Sequence, residues 1–173
     1  MQDLAQIVDT IRRIAAPALR QHRGEPTPWP LQCSIEPVVD WATTDLDAAV
    51  HGRLPDDLVR LWQLCGGMRL FVDARYSQWG LVVSSPTTAA TTTIEERAAR
   101  PEQYQDGDMV LGKFLGDSER LLLRCAPEEP DFGRVMIALP IDPRSEWYVA
   151  AESLTHFFER YVFGQGDKFW ESR

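Results

Sequence analysis

The chain has 173 residues but only three cysteines and two lysines, and no apolar run approaches the roughly 18 residues that a membrane span needs. Cys33, Cys65 and Cys125 stand far apart. Their number is odd and no Cys-x-x-Cys pair occurs, so neither a disulfide framework nor a zinc site is indicated. Cys65 and Cys125 sit inside apolar patterns and read as small core residues. The first residues, Met1 to Val8, lack the basic start and apolar core of a secretory signal. These absences together predict a cytoplasmic protein without membrane contact.

Catalytic signatures are missing too. There is no Gly-x-Ser-x-Gly elbow and no Gly-rich phosphate loop ending in Lys-Ser/Thr. His22, His51 and His156 have no partner at metal-ligand spacing. Glu152, His156 and Glu159 share a helix, but at that spacing they read as a solvated face. Asp106-Gly107-Asp108 and Gly116-Asp117-Ser118-Glu119 lack the spacing and terminal glutamate of a calcium loop and read as turns. No metal, cofactor or catalytic residue is therefore expected. An enzyme assembled from dispersed carboxylates is the remaining catalytic alternative.

What the chain does have is acid. Its net charge is −8. Between Glu95 and Asp131 ten acids face five bases, a net of −5, so one segment carries most of the excess. That sign excludes direct nucleic-acid binding, which needs a basic face. It suits a basic protein partner. Aromatic residues beside acids supply the other ingredient of a protein-binding patch, an apolar anchor inside a charged rim. The candidate partner-binding residues are Trp79, Asp106, Asp108, Asp117, Glu119, Glu128, Glu129, Asp131 and Trp147.

Periodicity predicts an amphipathic helix over 3–22, with Leu4, Ile7, Val8, Ile11, Ile14, Ala15 and Leu19 as its stripe and Pro17 as a stop or kink. Pro26, Pro28 and Pro30 around Trp29 predict a rigid connector. A short helix or extended piece is expected over 34–41, and Asp45 should cap a helix ending near His51. In Leu54-Pro55-Asp56-Asp57, proline fits the first helical position and the aspartates oppose the helix dipole. Leu58, Leu61, Trp62 and Cys65 share the face of that helix, and Gly66 should end it in the left-handed conformation. Strands are expected at 68–73, 80–84, 109–115, 120–125, 134–139 and 147–150. The stretch 84–93 reads as a small-residue loop before a helix at 94–99, and Ser153 should cap a closing helix. Helices, then strands, then a helix predict an α+β domain: an antiparallel β-meander with helices packed mainly on one face. The expected division is an N-terminal helix and connector over 1–30 and one α+β domain over 31–173.

The Gly-x-Leu54-Pro55-Asp56-Asp57 helix with its Gly66-Gly67 exit, the later Gly116-Asp117 turn and the Ser153 helix with Phe157 occur in the order found in the SUKH superfamily. The chain resembles that group over roughly residues 40–163. The group includes bacterial immunity proteins and the yeast cell-wall-synthesis regulator. Cys65 stands where an asparagine is usual, Leu154 where a phenylalanine is usual, and the Thr-rich stretch looks like an insertion. The resemblance implies a non-enzymatic protein that binds and blocks a toxin domain, often a nuclease. A regulatory interaction module without a toxin is the alternative within the group.

Overall fold

The computed structural model describes residues 3–14, 21–22, 25–26, 30–42, 44–51 and 53–171, with backbone alone at 21–22, 25–26 and 47. Strands β1 (Gln21–His22) and β2 (Glu25–Pro26) form a two-residue antiparallel ladder. Seven further strands make the main sheet: β3 (Leu31–Glu36), β4 (Gly67–Asp73), β5 (Leu81–Val83), β6 (Asp108–Phe114), β7 (Arg120–Arg124), β8 (Val135–Ala138) and β9 (Tyr148–Ala151). They lie side by side in chain order, every neighbour antiparallel. This is the expected meander.

Alternation along the strands divides the side chains between two cores, as the period of two requires. Met109, Leu111, Leu121, Leu123, Val135 and Ile137 join the main core. Val110, Leu122 and Ala138 join a smaller one with Tyr104 and Trp147. The main core is roofed by three helices that pack on one another: α1 (Leu4–Arg13), α3 (Asp56–Leu64) and α5 (Leu154–Phe163). In α1, the Asp3 carboxylate accepts from Ala5 N–H while Asp3 N–H donates to Gln6, a capping box. Leu4, Ile7, Val8 and Ile11 of α1 are buried in the main core, so this helix is integral to the domain and not an appendage. It stops at Arg13, short of the expected 22. Ala15, Pro17, Leu19, Pro28 and Trp29 lie outside the described residues. Of the stretch 34–41, residues 34–36 lie in β3 and residues 37–41 are in neither helix nor strand.

Asp45 caps a one-turn helix, α2 (Leu46–Ala49), through Ala48 N–H. In α3 the expected face holds: Leu58, Leu61, Trp62 and Cys65 are buried. Its exit does not follow expectation. Cys65 is extended (φ −158°, ψ 155°), and Gly66 is not in the left-handed region. The helix feeds straight into β4, and Gly66 N–H donates to Glu36 O at 3.1 Å. A Cβ on Gly66 would stand 2.2 Å from Pro37 O. Glycine is needed there for close approach, not for backbone handedness. Asp57 links α3 to the closing helix: its Oδ2 accepts from Thr155 N–H at 3.1 Å, beside the Ser153 cap on His156 N–H. Burial pushes the Asp57 carboxyl up, opposed by the backbone N–H groups it accepts from.

The Thr-rich stretch is a helix, not a loop. Helix α4 runs Pro86–Ala99 with Ser85 as cap and Pro86 in its first turn. Five threonines in a row of small residues argue against a helix by propensity, since branching at Cβ stiffens the side chain. Tertiary contact overrides this: α4 packs along β6 and against α2, burying Ala89, Ala90 and Thr93. Thr93 Oγ1 accepts from Val110 N–H at 2.8 Å where β6 shifts register, satisfying a buried strand donor. At its C-terminal end Glu96 accepts from Arg120 Nε at 2.8 Å and from Arg100.

Two expected outcomes follow from these contacts. Gly66→Ala drives a Cβ into a backbone carbonyl and should cost about 2 to 3 kcal/mol in urea unfolding. Glu96 is pushed up by burial, but hydrogen bonds and charge from Arg100 and Arg120 outweigh this and leave it below its ordinary 4.5. A lowered folded-state pKa gives stability that is present above 4.5 and lost as pH falls through the lowered value. Unfolding of Glu96→Gln measured across pH 7 to 3 (about this span covers the carboxylate range) should therefore show a weaker acid loss than the parent.

Candidate partner-binding surface

The nine candidate residues are split by the fold into three groups. The first group is drawn into a buried arginine cluster and the smaller core. Asp108 opens β6 directly opposite Arg124 of β7 and is fully buried. Its carboxylate accepts from Arg124 Nη1 and from both terminal nitrogens of Arg144, while Gln105 N–H donates to Oδ2 at 2.8 Å. Asp131 accepts from Arg124 Nε at 2.8 Å. Burial lowers the Arg124 pKa, but Asp108 and Asp131 outweigh it, so the guanidinium is held charged more firmly than usual. Asp108 is therefore no surface acid. Trp147 is only 6% exposed. It packs edge-on to Tyr104 at 5.3 Å, lies under Arg144 at 5.0 Å, and donates from Nε1 to Leu139 O at 3.1 Å. Its ring fills the smaller core and offers no exposed anchor.

The second group is neutralised at the surface. Lys168 donates to Asp117 and to Glu119, each at 2.6 Å. Burial pushes Lys168 down, but these two acids outweigh it and raise it. Burial raises Glu119, opposed by Lys168. Trp79 lies near the same ammonium, 5.9 Å from its ring centroid, and is half-buried. Gly116 makes this turn possible: φ is +85°, and a Cβ would meet Gln78 O at 1.9 Å. The Gly-Asp turn thus docks on the 74–79 turn and is tied down by the C-terminal tail.

The third group stays free. Asp106, Glu128 and Glu129 are exposed and line a cleft of about 590 Å³ with His51, Gln105 and Pro127. No base is paired with these three acids among the described residues. Below them Arg124 Nη1 donates to Asp106 O, and Cys125 N–H donates to Gly107 O at 2.6 Å. The acidic rim is therefore mounted on the buried Asp108–Arg124–Arg144 cluster.

The residues missed by sequence reasoning are the bases. Arg124 ends the apolar run Leu121-Leu122-Leu123, and Asp108 precedes Met109-Val110-Leu111. A charge embedded in each of two apolar strands signals a buried pair. The cysteines are as expected: burial pushes Cys65 to about 11 and raises Cys125 strongly. Among the described residues no helix is long and apolar enough to cross a membrane, and no group of three or more His, Cys, Asp or Glu is placed to hold a metal. Comparison with family models, curated proteins and solved structures finds no match.

Asp108→Asn should be strongly destabilising, by about 3 to 5 kcal/mol, because it leaves two guanidinium groups around a site that has lost its charge. Equilibrium unfolding measures this. A change below 1 kcal/mol (about the value of an exposed pair) would mean the cluster is not a structural hub.

Proposed function

We propose a cytoplasmic, non-enzymatic, immunity-type protein that binds and neutralises a basic toxin domain, with a nuclease as the toxin class. The observation that carries this reading is the cleft rimmed by Asp106, Glu128 and Glu129, three exposed acids with no base paired to them among the described residues. The SUKH-like motif order supports it, as does the chain's net charge of −8. A nuclease is basic where it grips a polyanion, so an acidic rim on a rigid base matches the charge it presents. The rim is narrower than the acidic segment as a whole, because Asp108, Asp117, Glu119 and Asp131 already have basic partners within the chain.

The test is co-expression with the product of the neighbouring gene, scored for rescued growth and for complex formation. Association is then followed with Asp106→Lys, Glu128→Lys and Glu129→Lys combined. The on-rate should fall about tenfold or more, and salt should mimic the loss in the parent protein. An unchanged on-rate sinks the rim as the contact surface. A neighbour that neither harms growth nor binds points instead to a regulatory interaction module.

A further inference from the structure

A second cleft, also about 590 Å³, lies between α4 and the sheet. Its helical wall is the stripe Thr88, Thr92, Glu95 and Ala99, spaced three or four residues apart. A helix laid on a sheet normally fills the gap with large apolar side chains, the two layers standing roughly 10 Å apart. This stripe has none, and Gly112 on the floor has no side chain at all. The gap therefore stays open while Thr93 and Arg100 hold α4 in place and Glu96 bridges it to Arg120 at the cleft.

The floor is basic in a chain that is otherwise acidic. Arg69, Val82, Lys113 and Arg120 are direct cross-strand partners on β4, β5, β6 and β7, one row across the sheet. Lys113 and Arg120 are like charges set opposite each other, an arrangement that costs stability in a sheet. Arg120 is answered by Glu96, which also accepts from Arg100. Arg69 and Lys113 have no acidic partner among the described residues. They are two strand spacings apart, about 10 Å. Glu95 is the remaining acid in the lining, so the open charge is two bases against one acid. The hydroxyls of Ser84, Thr88 and Thr92 complete the wall with groups that can donate.

We propose that this cleft is a binding site for a small anion, one carrying a phosphate or carboxylate group that rests on Arg69 and Lys113 against the threonine wall of α4. Its volume lies within the range of small-molecule sites, and the two unpaired bases beside a row of hydroxyls set the charge of what it would hold. The site is separate from the acidic rim, and the proposal does not depend on the toxin-binding reading.

The test is titration of the isotope-labelled full chain with inorganic phosphate and, separately, with succinate, followed by amide NMR. Saturable shifts at Val82, Thr88, Thr92, Gly112 and Lys113 are expected for at least one probe, and which probe wins assigns phosphate or carboxylate. Arg69→Ser with Lys113→Ser should weaken that binding about tenfold or more, from the loss of two charge-assisted contacts. The double variant should fold, since neither side chain has a bonded partner among the described residues. Arg13→Ser with Arg60→Ser lowers the net charge equally, from exposed positions away from the cleft, and should leave affinity unchanged. The proposal fails if neither probe saturates by about 10 mM, a level weaker than the millimolar affinities of simple ion sites. It fails equally if both double variants weaken binding alike.

Discussion

The half of the sheet that carries the acidic rim depends on the buried carboxylate of Asp108. It ties β6 to Arg124 on β7, to Arg144 in the one-turn 3-10 helix Arg144–Glu146 ahead of β9, and to the 105–108 turn through Gln105 N–H. Such a cluster is not a large source of stability, because removing three charges from water costs about what their attraction returns. Its value is in register. A slip of one residue along β6 would set Met109 against two guanidinium groups and exchange the side chains of that strand between the two cores. Arg144 also covers the face of Trp147, so the same charge that fixes the strands seats the ring of the smaller core.

The cluster also decides which acids reach solvent. Asp131 is drawn in by Arg124, while Asp106, one turn position before Gly107, keeps its carboxylate outward and lends only its carbonyl. Glu128 and Glu129 follow Pro127 in the turn after β7 and have no such partner among the described residues. Charge density along the sequence and charge density on the surface are therefore different quantities. Of the ten acids between Glu95 and Asp131, several pair with Arg100, Arg120 and Arg124 inside the segment or with Arg144 and Lys168 beyond it.

Elements with local punctuation were legible in the sequence. Asp45 and Ser153 cap as their residue types suggest, and α3 buries the face its spacing defines. The meander was legible from the succession of short apolar runs separated by turn residues. What was not legible depends on partners distant in sequence. The threonines of α4 argue for a loop until β6 supplies a surface of matching shape, although Ser85-Pro86 was a start signal in plain view. The pairing of Asp108 with Arg124 rests on strand register, which no single strand contains. Trp147 stands beside acids in the sequence and is a candidate anchor on that ground, yet Tyr104, arriving from a different turn, closes over it. Of the candidate surface, the acidic character was legible and the division into buried, neutralised and free acids was not.

Two of the short sequence motifs meet in the fold, and the glycines of two others are pressed against backbone elsewhere. Asp57 from the Leu-Pro-Asp-Asp start accepts from Thr155 in the Ser153 helix, and Gly66 at the end of the same α3 lies against Pro37 just past β3. Gly116 does the same between two turns on the opposite part of the sheet. Each of these residues is constrained by backbone geometry: a donor to cap, or a carbonyl within 2.2 Å or 1.9 Å of an added methyl. None of them lines the acidic cleft or the α4 cleft. A motif made of such positions can persist while both clefts change, since no side chain in either is needed to hold the α3–α5 contact. Changes in α4 or in the 126–131 turn therefore leave the Asp57–Thr155 contact and the Gly66 and Gly116 close approaches untouched.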